Sequence, residues 1–321
     1  MLIAVDAIVG RTCSVASLIC REIVKRRAAR RFSYGAAEAL TIGRRQLGTT
    51  GYRHRSDYTG GVCHPDNLES LAAVLGEEID RAIQHGSLHQ SANLDMDIEE
   101  SLLLVGGPVW DRLTRSIFGY RRDSEDGNTN KEPQYSCNGL ALELPFRFDL
   151  EASKISGRAS RFIRSADGIA VETEPNWGIV GRDGSRYYPT LRHDGFLTTD
   201  YLLLTKIPNL FGDPTQGTER FFVNYAGAHG VAQRAAGIAL SDQSLIRRVV
   251  EELKIDVDRV ATWPNAFQVM LRVGDIKHDR RRISKPADVR LVCATRIDES
   301  SEWWMAWRQR VTLEKLIHDE Q

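Results

Sequence analysis

Two short glycine turns hold the residues of this chain whose types and spacing could do chemistry. The first reads Gly106-Gly107-Pro108 and the second reads Gly227-Ala228-His229-Gly230. A histidine between flexible residues can act as an acid, a base or a hydrogen-bond donor near neutral pH. His229 is therefore the candidate catalytic residue. The alternative is a histidine at the start of a helix that bonds only to the backbone.

Backbone groups and polar side chains around the turns are the candidate ligand contacts. A turn between a buried strand and a helix directs several backbone N–H groups at one point, where an anionic or polar group can bind. The alternatives are a purely steric turn and, for asparagine, a side chain that bonds its own turn. The candidate binding residues are four turn glycines, two arginines that supply counter-charge, and the asparagine that ends a neighbouring strand: Gly106, Gly107, Gly227, Gly230, Arg112, Arg115 and Asn209.

Several sequence signatures of established chemistry are missing. The first turn is too short for the G-x-G-x-x-G dinucleotide motif, and no G-x-x-x-x-G-K-[ST] phosphate loop occurs. The G-x-S-x-G nucleophile elbow, the H-E-x-x-H zinc helix and C-x-x-C pairs are missing as well. The sequence therefore names no cofactor and predicts no metal site.

A basic segment near the start of the chain suggests a different function. Residues 21–55 contain ten lysines and arginines against two glutamates, whereas the whole chain has a formal net charge of +0. Such a cluster is typical of a surface that contacts nucleic acid or another phosphate-bearing ligand. Because neither interleaved aromatic residues nor a recognition-helix pattern accompanies it, a solvated helix face is the alternative.

The composition is that of a globular protein in a reducing compartment. The chain has 321 residues, of which 42% are hydrophobic and 27% charged, enough for one large domain or two modest ones. Its five cysteines are an odd number without a paired motif, which predicts a cytoplasmic protein without a disulfide framework. We expect no signal peptide, no transmembrane helix and no membrane partner. The oligomeric state stays open, a homo-oligomer included.

Continuously apolar runs lead into both turns. Residues 101–105 and 221–226 read as strands covered on both faces, and a small-residue helix at 231–239 follows the second turn. Residues 201–207 read as a third strand, which we expect to pair antiparallel with 221–226. Because ligands of open sheets bind at the carboxyl ends of strands, we expect the two turns to converge on one polar site.

The rest of the chain is predicted to complete an α/β fold. Residues 138–200 carry dense turn signals and short alternating runs, such as Leu140, Leu142 and Leu144, which predict strands. The predicted fold has a central mixed sheet with helices on both faces and a β-rich insertion at about 138–200. A basic helical N-terminal extension at 1–60 precedes the α/β domain at 61–321. The remaining predicted elements are an amphipathic helix at 66–86, a helix capped by Ser241 or Asp242, strands at 266–273 and 289–295 joined by a hairpin at 277–285, and a terminal aromatic helix at 303–316.

Residues 105–115, residues 200–209 and the Gly227-Ala228-His229-Gly230 turn together carry a resemblance. They are similar to a group of uncharacterised bacterial and archaeal α/β proteins with a G-G-P-x-x-N-x-x-T-R element and a later G-x-H-G element. The resemblance covers roughly residues 60–300. This chain has Asp111 at the position of the asparagine, where its charge would repel a bound anion. The resemblance implies an α/β architecture and no particular activity.

Three hypotheses for function follow. The first is a cytoplasmic ligand-sensing or regulatory protein that binds a small polar molecule between the turns, a nucleotide among the candidates, with Arg112, Arg115 and His229 as polar contacts. The second is a nucleotide-cleaving hydrolase that uses His229 as acid or base. The third is a nucleic-acid-binding regulator that acts through residues 21–55.

Overall fold

The computed structural model describes about half of the chain. The described residues are 51–53, 102–108, 112–122, 135–137, 139–150, 162–164, 170–172, 178–191, 197–209, 220–257, 259, 263–279, 282–298 and 300. Apart from the backbone of Gly51–Arg53, the basic segment lies outside the described residues. The predicted helices at 66–86 and 303–316 lie outside them too.

The described part of the chain is rich in sheet and has few helices. Its strands, in chain order, are β1 (Gly51–Arg53), β2 (Leu102–Val105), β3 (Tyr120–Arg122), β4 (Tyr135–Cys137), β5 (Phe146–Asp149), β6 (Phe162–Arg164), β7 (Ala170–Glu172), β8 (Gly178–Gly181), β9 (Arg186–Tyr187), β10 (Thr190–Leu191), β11 (Leu197–Pro208), β12 (Phe221–Gly227), β13 (Phe267–Gly274), β14 (Lys277–Asp279), β15 (Arg282–Lys285) and β16 (Asp288–Arg296). Its helices are α1 (Arg112–Phe118), α2 (Leu140–Glu143), α3 (Gly230–Ser241) and α4 (Gln243–Glu252).

The largest sheet has seven strands in the order β1-β2-β12-β11-β13-β16, with β10 beside β11. β1, β2 and β12 run parallel to one another, whereas β11 is antiparallel to β12 and β13, and β13 is antiparallel to β16. The predicted antiparallel pairing of residues 201–207 with 221–226 is confirmed. The predicted strands at 266–273 and 289–295 and the hairpin between them are confirmed as β13, β16 and the β14–β15 pair. β1 precedes residue 61, so the sheet takes one strand from the segment assigned to the N-terminal extension.

The parallel pair β2 and β12 determines where the two turns lie. Leu102 pairs with Phe222 and Val105 pairs with Tyr225. Because parallel neighbours run in the same direction, the chain leaves both strands at the same edge of the sheet. β11 runs the opposite way, so its early residues lie at this edge, where Leu202 pairs with Gly227.

Alternate residues of β11 and β12 bury a hydrophobic core on each face of the sheet. One core joins Leu202, Leu204, Val223 and Tyr225 to residues of α3 and α4 that include Ala235, Ala236, Ile246 and Val249. The other core joins Leu203, Ile207, Phe222 and Met270 to Ile117 of α1 and Leu140 of α2. The described helices therefore flank the sheet on both faces.

Small residues and a carboxylate cap shape α3 and α4. Ala232, Ala235 and Ala236 are fully buried, so α3 can approach the sheet closely. Asp242 caps α4 by accepting hydrogen bonds from Ser244 N at 2.9 Å and Leu245 N at 3.2 Å. Of the two caps that the sequence allowed, the structure has this one. Among the described helices, none combines the length and the apolar character needed to span a bilayer.

The region at 138–200 forms short strands, but one prediction within it was wrong. β5, β8 and β9 form a three-stranded sheet, and β6 and β7 form a hairpin. Leu140, Leu142 and Leu144 do not lie in a strand, because residues 140–143 form α2. Leu140 and Leu144 are buried and Leu142 is 42% exposed, so the buried pair has the i, i+4 spacing of a helical turn. Three leucines are too few to separate that spacing from a period of two.

Candidate functional site at the glycine turns

The two glycine turns lie against each other, as the sequence predicted. Gly106 N donates a hydrogen bond to Tyr225 O at 3.1 Å. A Cβ atom built on Gly107 would lie 3.4 Å from Gly227 O, in van der Waals contact with the second turn. Gly227 is crowded more severely, because a Cβ would come within 2.9 Å of the Ala232 Cβ. Position 227 therefore needs glycine for close backbone approach.

Asn224 holds the first turn onto the strand that leads to the second. Its Nδ2 donates to Gly106 O at 3.1 Å and to Thr114 Oγ1 at 3.0 Å. All three residues are buried, so this side chain fixes the turn and the start of α1 to the sheet. This role was not predicted, although an asparagine inside the apolar run 221–226 is a visible signal in the sequence.

A buried carboxylate at Asp200 organises the second turn. Its Oδ2 accepts hydrogen bonds from His229 N and Ala232 N, each at 3.2 Å, and its Oδ1 accepts one from Tyr201 N at 2.9 Å. The same Oδ1 lies 3.2 Å from Nδ1 of His229. Asp200 is fully buried and His229 is 7% exposed. Asp200 was not predicted as a site residue, because an acidic residue just before an apolar run resembles an ordinary strand start.

This arrangement changes what the second turn offers a ligand. From the sequence, its backbone N–H groups were expected to bind an anionic or polar ligand. In the structure a carboxylate of the chain itself bonds the N–H groups of His229 and Ala232, and Ala228 N donates to Tyr201 O at 2.9 Å. These contacts build the helix start from within, which is the dipole compensation that an exogenous anion would otherwise supply.

The two arginines differ in what can be said of them. Arg115 is half-buried, and its Nη1 donates to Pro108 O at 3.0 Å, so its guanidinium lies against the first turn. Arg112 begins α1, but its side chain lies outside the described part. Arg115 therefore lies beside the first turn, where it was predicted to contact a ligand. The predicted ligand contact of Arg112 stays a prediction.

The proposed participation of Asn209 is corrected by the strand direction. Asn209 follows the end of β11 and its N donates to Arg220 O at 2.6 Å, beside the start of β12. Since β11 is antiparallel to β12, this places it at the opposite edge of the sheet, about 20 Å from the glycine turns at some 3.4 Å per residue. The prediction assumed that this strand ends where the others end. It is the first part of β11, with Asp200, that reaches the site.

Metal and thiol chemistry find no support in the described ranges. No group of three or more histidine, cysteine and acidic residues capable of holding a metal ion occurs among them. Cys137 and Cys293, the cysteines within these ranges, form no disulfide. Burial raises the pKa of the Cys293 thiol to about 11, which keeps it protonated and unreactive near neutral pH.

The site thus combines the two turns, His229, Asp200 and Arg115 at one edge of the sheet. Comparisons of the chain with family models, with curated proteins and with solved structures find no match. The resemblance to bacterial and archaeal α/β proteins therefore stays a prediction that rests on residues 105–115, 200–209 and 227–230.

Proposed function

We propose that this chain is a cytoplasmic ligand-sensing or regulatory α/β protein. It binds a small polar molecule, a nucleotide or nucleoside among the candidates, at the edge where the two glycine turns meet. The observation that carries the proposal is the parallel pairing of β2 with β12. That pairing brings two strand–turn–helix junctions to one place, the position at which open sheets bind their ligands.

Two side-chain features support this position. Arg115 lies on the first turn through its bond to Pro108. His229 belongs to the second turn, where Asp200 fixes the orientation of its ring. A cation and an oriented imidazole near two close-packed turns are the few polar groups that typically set the orientation of a small ligand.

The experiment is a thermal-shift titration of the purified chain against a panel of nucleosides and nucleotides. Binding to the folded state alone stabilises it by about 2.7 kcal/mol at a hundred times Kd, so the melting temperature should rise by several degrees. His229→Ala and Arg115→Ala should reduce this rise. Arg248→Ala, on the exposed side of α4, is the matched control and should retain it. An equal rise in all four proteins, or no rise with any compound, would refute the proposal.

A hydrolase that cleaves nucleotides is the second candidate, and the buried pair of Asp200 and His229 favours it. A carboxylate at 3.2 Å from Nδ1 orients an imidazole for acid–base work at its other nitrogen. The purified chain should then turn over a nucleotide mixture, and His229→Ala should abolish the turnover. Ligand stabilisation without any turnover by the unaltered chain would reject the hydrolase and leave the sensor.

A further inference from the structure

We infer that Asp200 determines which ligand the site accepts, namely one that presents a hydrogen-bond donor such as an amine, amide N–H or hydroxyl to His229, and not a phosphate. This inference rests on the proposed function, because it names the ligand class of the same site. Asp200 would be a positioning and specificity residue that acts through His229 and through the start of α3.

The first step concerns charge at the beginning of α3. The N-terminus of a helix attracts anions through its free N–H groups and its dipole. Here the carboxylate of Asp200 already bonds two of these N–H groups, those of His229 and Ala232. A phosphate placed beside them would find these donors occupied and a buried negative charge next to it. Like charges in a partly desolvated site repel strongly, so this end of the site disfavours anions.

The second step concerns the ring of His229. An ionised carboxylate can only accept hydrogen bonds, so the contact between Asp200 Oδ1 and His229 Nδ1 requires the proton on Nδ1. A neutral imidazole with its proton on Nδ1 is an acceptor at Nε2. A ligand atom that bonds the neutral ring at Nε2, which is buried in the structure, must then be a donor. Both steps point to the same ligand chemistry, since a neutral or cationic donor satisfies the ring and a cationic one is also attracted by the carboxylate.

The first test needs no ligand. The 15N chemical shifts of the His229 ring, measured at mildly alkaline pH, should show a protonated Nδ1 and an unprotonated Nε2. A proton on Nε2 alone, or on both nitrogens, would overturn the inference. Inorganic phosphate titrated into the same sample should leave the backbone amide signals of Gly230 to Gln233 unchanged, and a saturable shift of those signals would also overturn it.

The second test compares adenosine with adenosine 5′-monophosphate, and repeats the comparison for the other nucleoside pairs. The nucleoside should bind at least as tightly as its phosphate, and a tenfold preference for the phosphate would overturn the inference. Asp200→Asn, which removes the charge at nearly constant size, should shift the ratio towards the phosphate by about tenfold, or roughly 1.4 kcal/mol. Glu251→Gln, an exposed change of the same charge on α4, should leave the ratio unchanged.

The two tests separate this inference from the proposed function. If no compound binds, the proposed function fails, whereas the histidine shifts and the phosphate titration still decide whether Asp200 acts as inferred. If compounds bind but phosphates are preferred, the proposed function stands and the inference fails. If Asp200→Asn does not fold, the measurements on the unaltered chain remain sufficient.

Discussion

Tyr225 presents a polar atom that the fold buries without compensation. Its hydroxyl has no hydrogen-bond partner among the residues that the structure describes, and burial raises the pKa of this phenol far above its usual value. The ring lines a cavity of about 20 Å³ between the sheet and helices α3 and α4, whose other lining side chains are apolar. A single water there would lack the two to four polar partners that buried water normally has.

Removing this hydroxyl should therefore stabilise the protein. We expect Tyr225→Phe to increase the free energy of unfolding by about 1 kcal/mol, because the cost of the unsatisfied group is relieved. Tyr120→Phe is the matched control, since the buried Tyr120 hydroxyl accepts a hydrogen bond from Phe148 N at 2.8 Å. That change should lower the free energy of unfolding by about 1–3 kcal/mol. Denaturant unfolding measures both, and a loss of stability in Tyr225→Phe would contradict the expectation.

The same phenol predicts how stability responds to alkaline pH. The pKa of Tyr225 is raised in the folded state, so the unfolded chain releases this proton first, near pH 10. Its contribution to stability is fully present below that pH and is lost as the pH rises further. Between about pH 8 and 11, the free energy of unfolding should fall less steeply with pH for Tyr225→Phe than for the unaltered chain. Parallel curves would show that the phenol does not titrate with unfolding.

Among the structural elements, the second glycine turn should respond differently to replacement of its two glycines, and the free energy of unfolding should show the difference. A Cβ on Gly227 would lie 2.9 Å from both the Ala232 Cβ and the Gln233 N, whereas a Cβ on Gly230 would meet no atom of the described residues within 4 Å. We expect Gly227→Ala to lower the free energy of unfolding by about 2–3 kcal/mol through overpacking. Gly230→Ala, at the start of α3, should be neutral or stabilising by up to about 1 kcal/mol. Melting curves of the two variants test this contrast, and equal losses would refute it.

The side chain of Gln268 links the small three-stranded sheet to the main sheet by hydrogen bonds. The Oε1 atom of Gln268 on β13 accepts a hydrogen bond from Phe146 N at 2.8 Å. Its Nε2 donates hydrogen bonds to Phe146 O at 2.9 Å and to Thr205 Oγ1 at 3.0 Å. Its amide thereby pairs with the backbone of β5 as a neighbouring strand would. Since Gln268 is fully buried, these bonds are shielded from water.

Replacing that amide should loosen β5 selectively. We expect Gln268→Leu to lower the free energy of unfolding by about 2–3 kcal/mol, because the N–H and the carbonyl of Phe146 lose their partner. The amide of Phe146 should also exchange its hydrogen faster. Thr205→Val removes a single bond and keeps both contacts to Phe146, so it should cost about 1 kcal/mol and leave that exchange rate unchanged. Unaltered exchange in Gln268→Leu would refute the linking role.

For the whole molecule, the sequence predicts those strands and turns whose formation depends on residues that are neighbours in the chain. Continuous apolar runs located β2, β11 and β12, and glycine turns after two of them located the start of a helix. The sequence also predicted that the two turns lie together, because ligands of open sheets bind at the carboxyl ends of strands. The α/β class of the entire chain remains a proposal, since the described part is established only as rich in sheet.

The errors differ in origin. The orientation of β11 relative to β12 decides that Asp200, and not Asn209, lies at the turns. The sequence predicted that orientation, but the assignment of Asn209 to the site did not take it into account. The bond from Asn224 to Gly106 joins residues 118 positions apart. Local patterns predict strands and turns, but they do not identify the polar side chain that meets a turn from a distant strand.

That separation of 118 positions also orders events at the ribosome. β2 emerges during synthesis long before β12, its parallel neighbour, has been translated. The nascent chain must therefore keep the apolar stretch Leu102–Val105 from associating with other polypeptides until residue 227 has left the exit tunnel. A nascent chain that stalls between the two strands holds one half of the glycine-turn junction and no means of completing it.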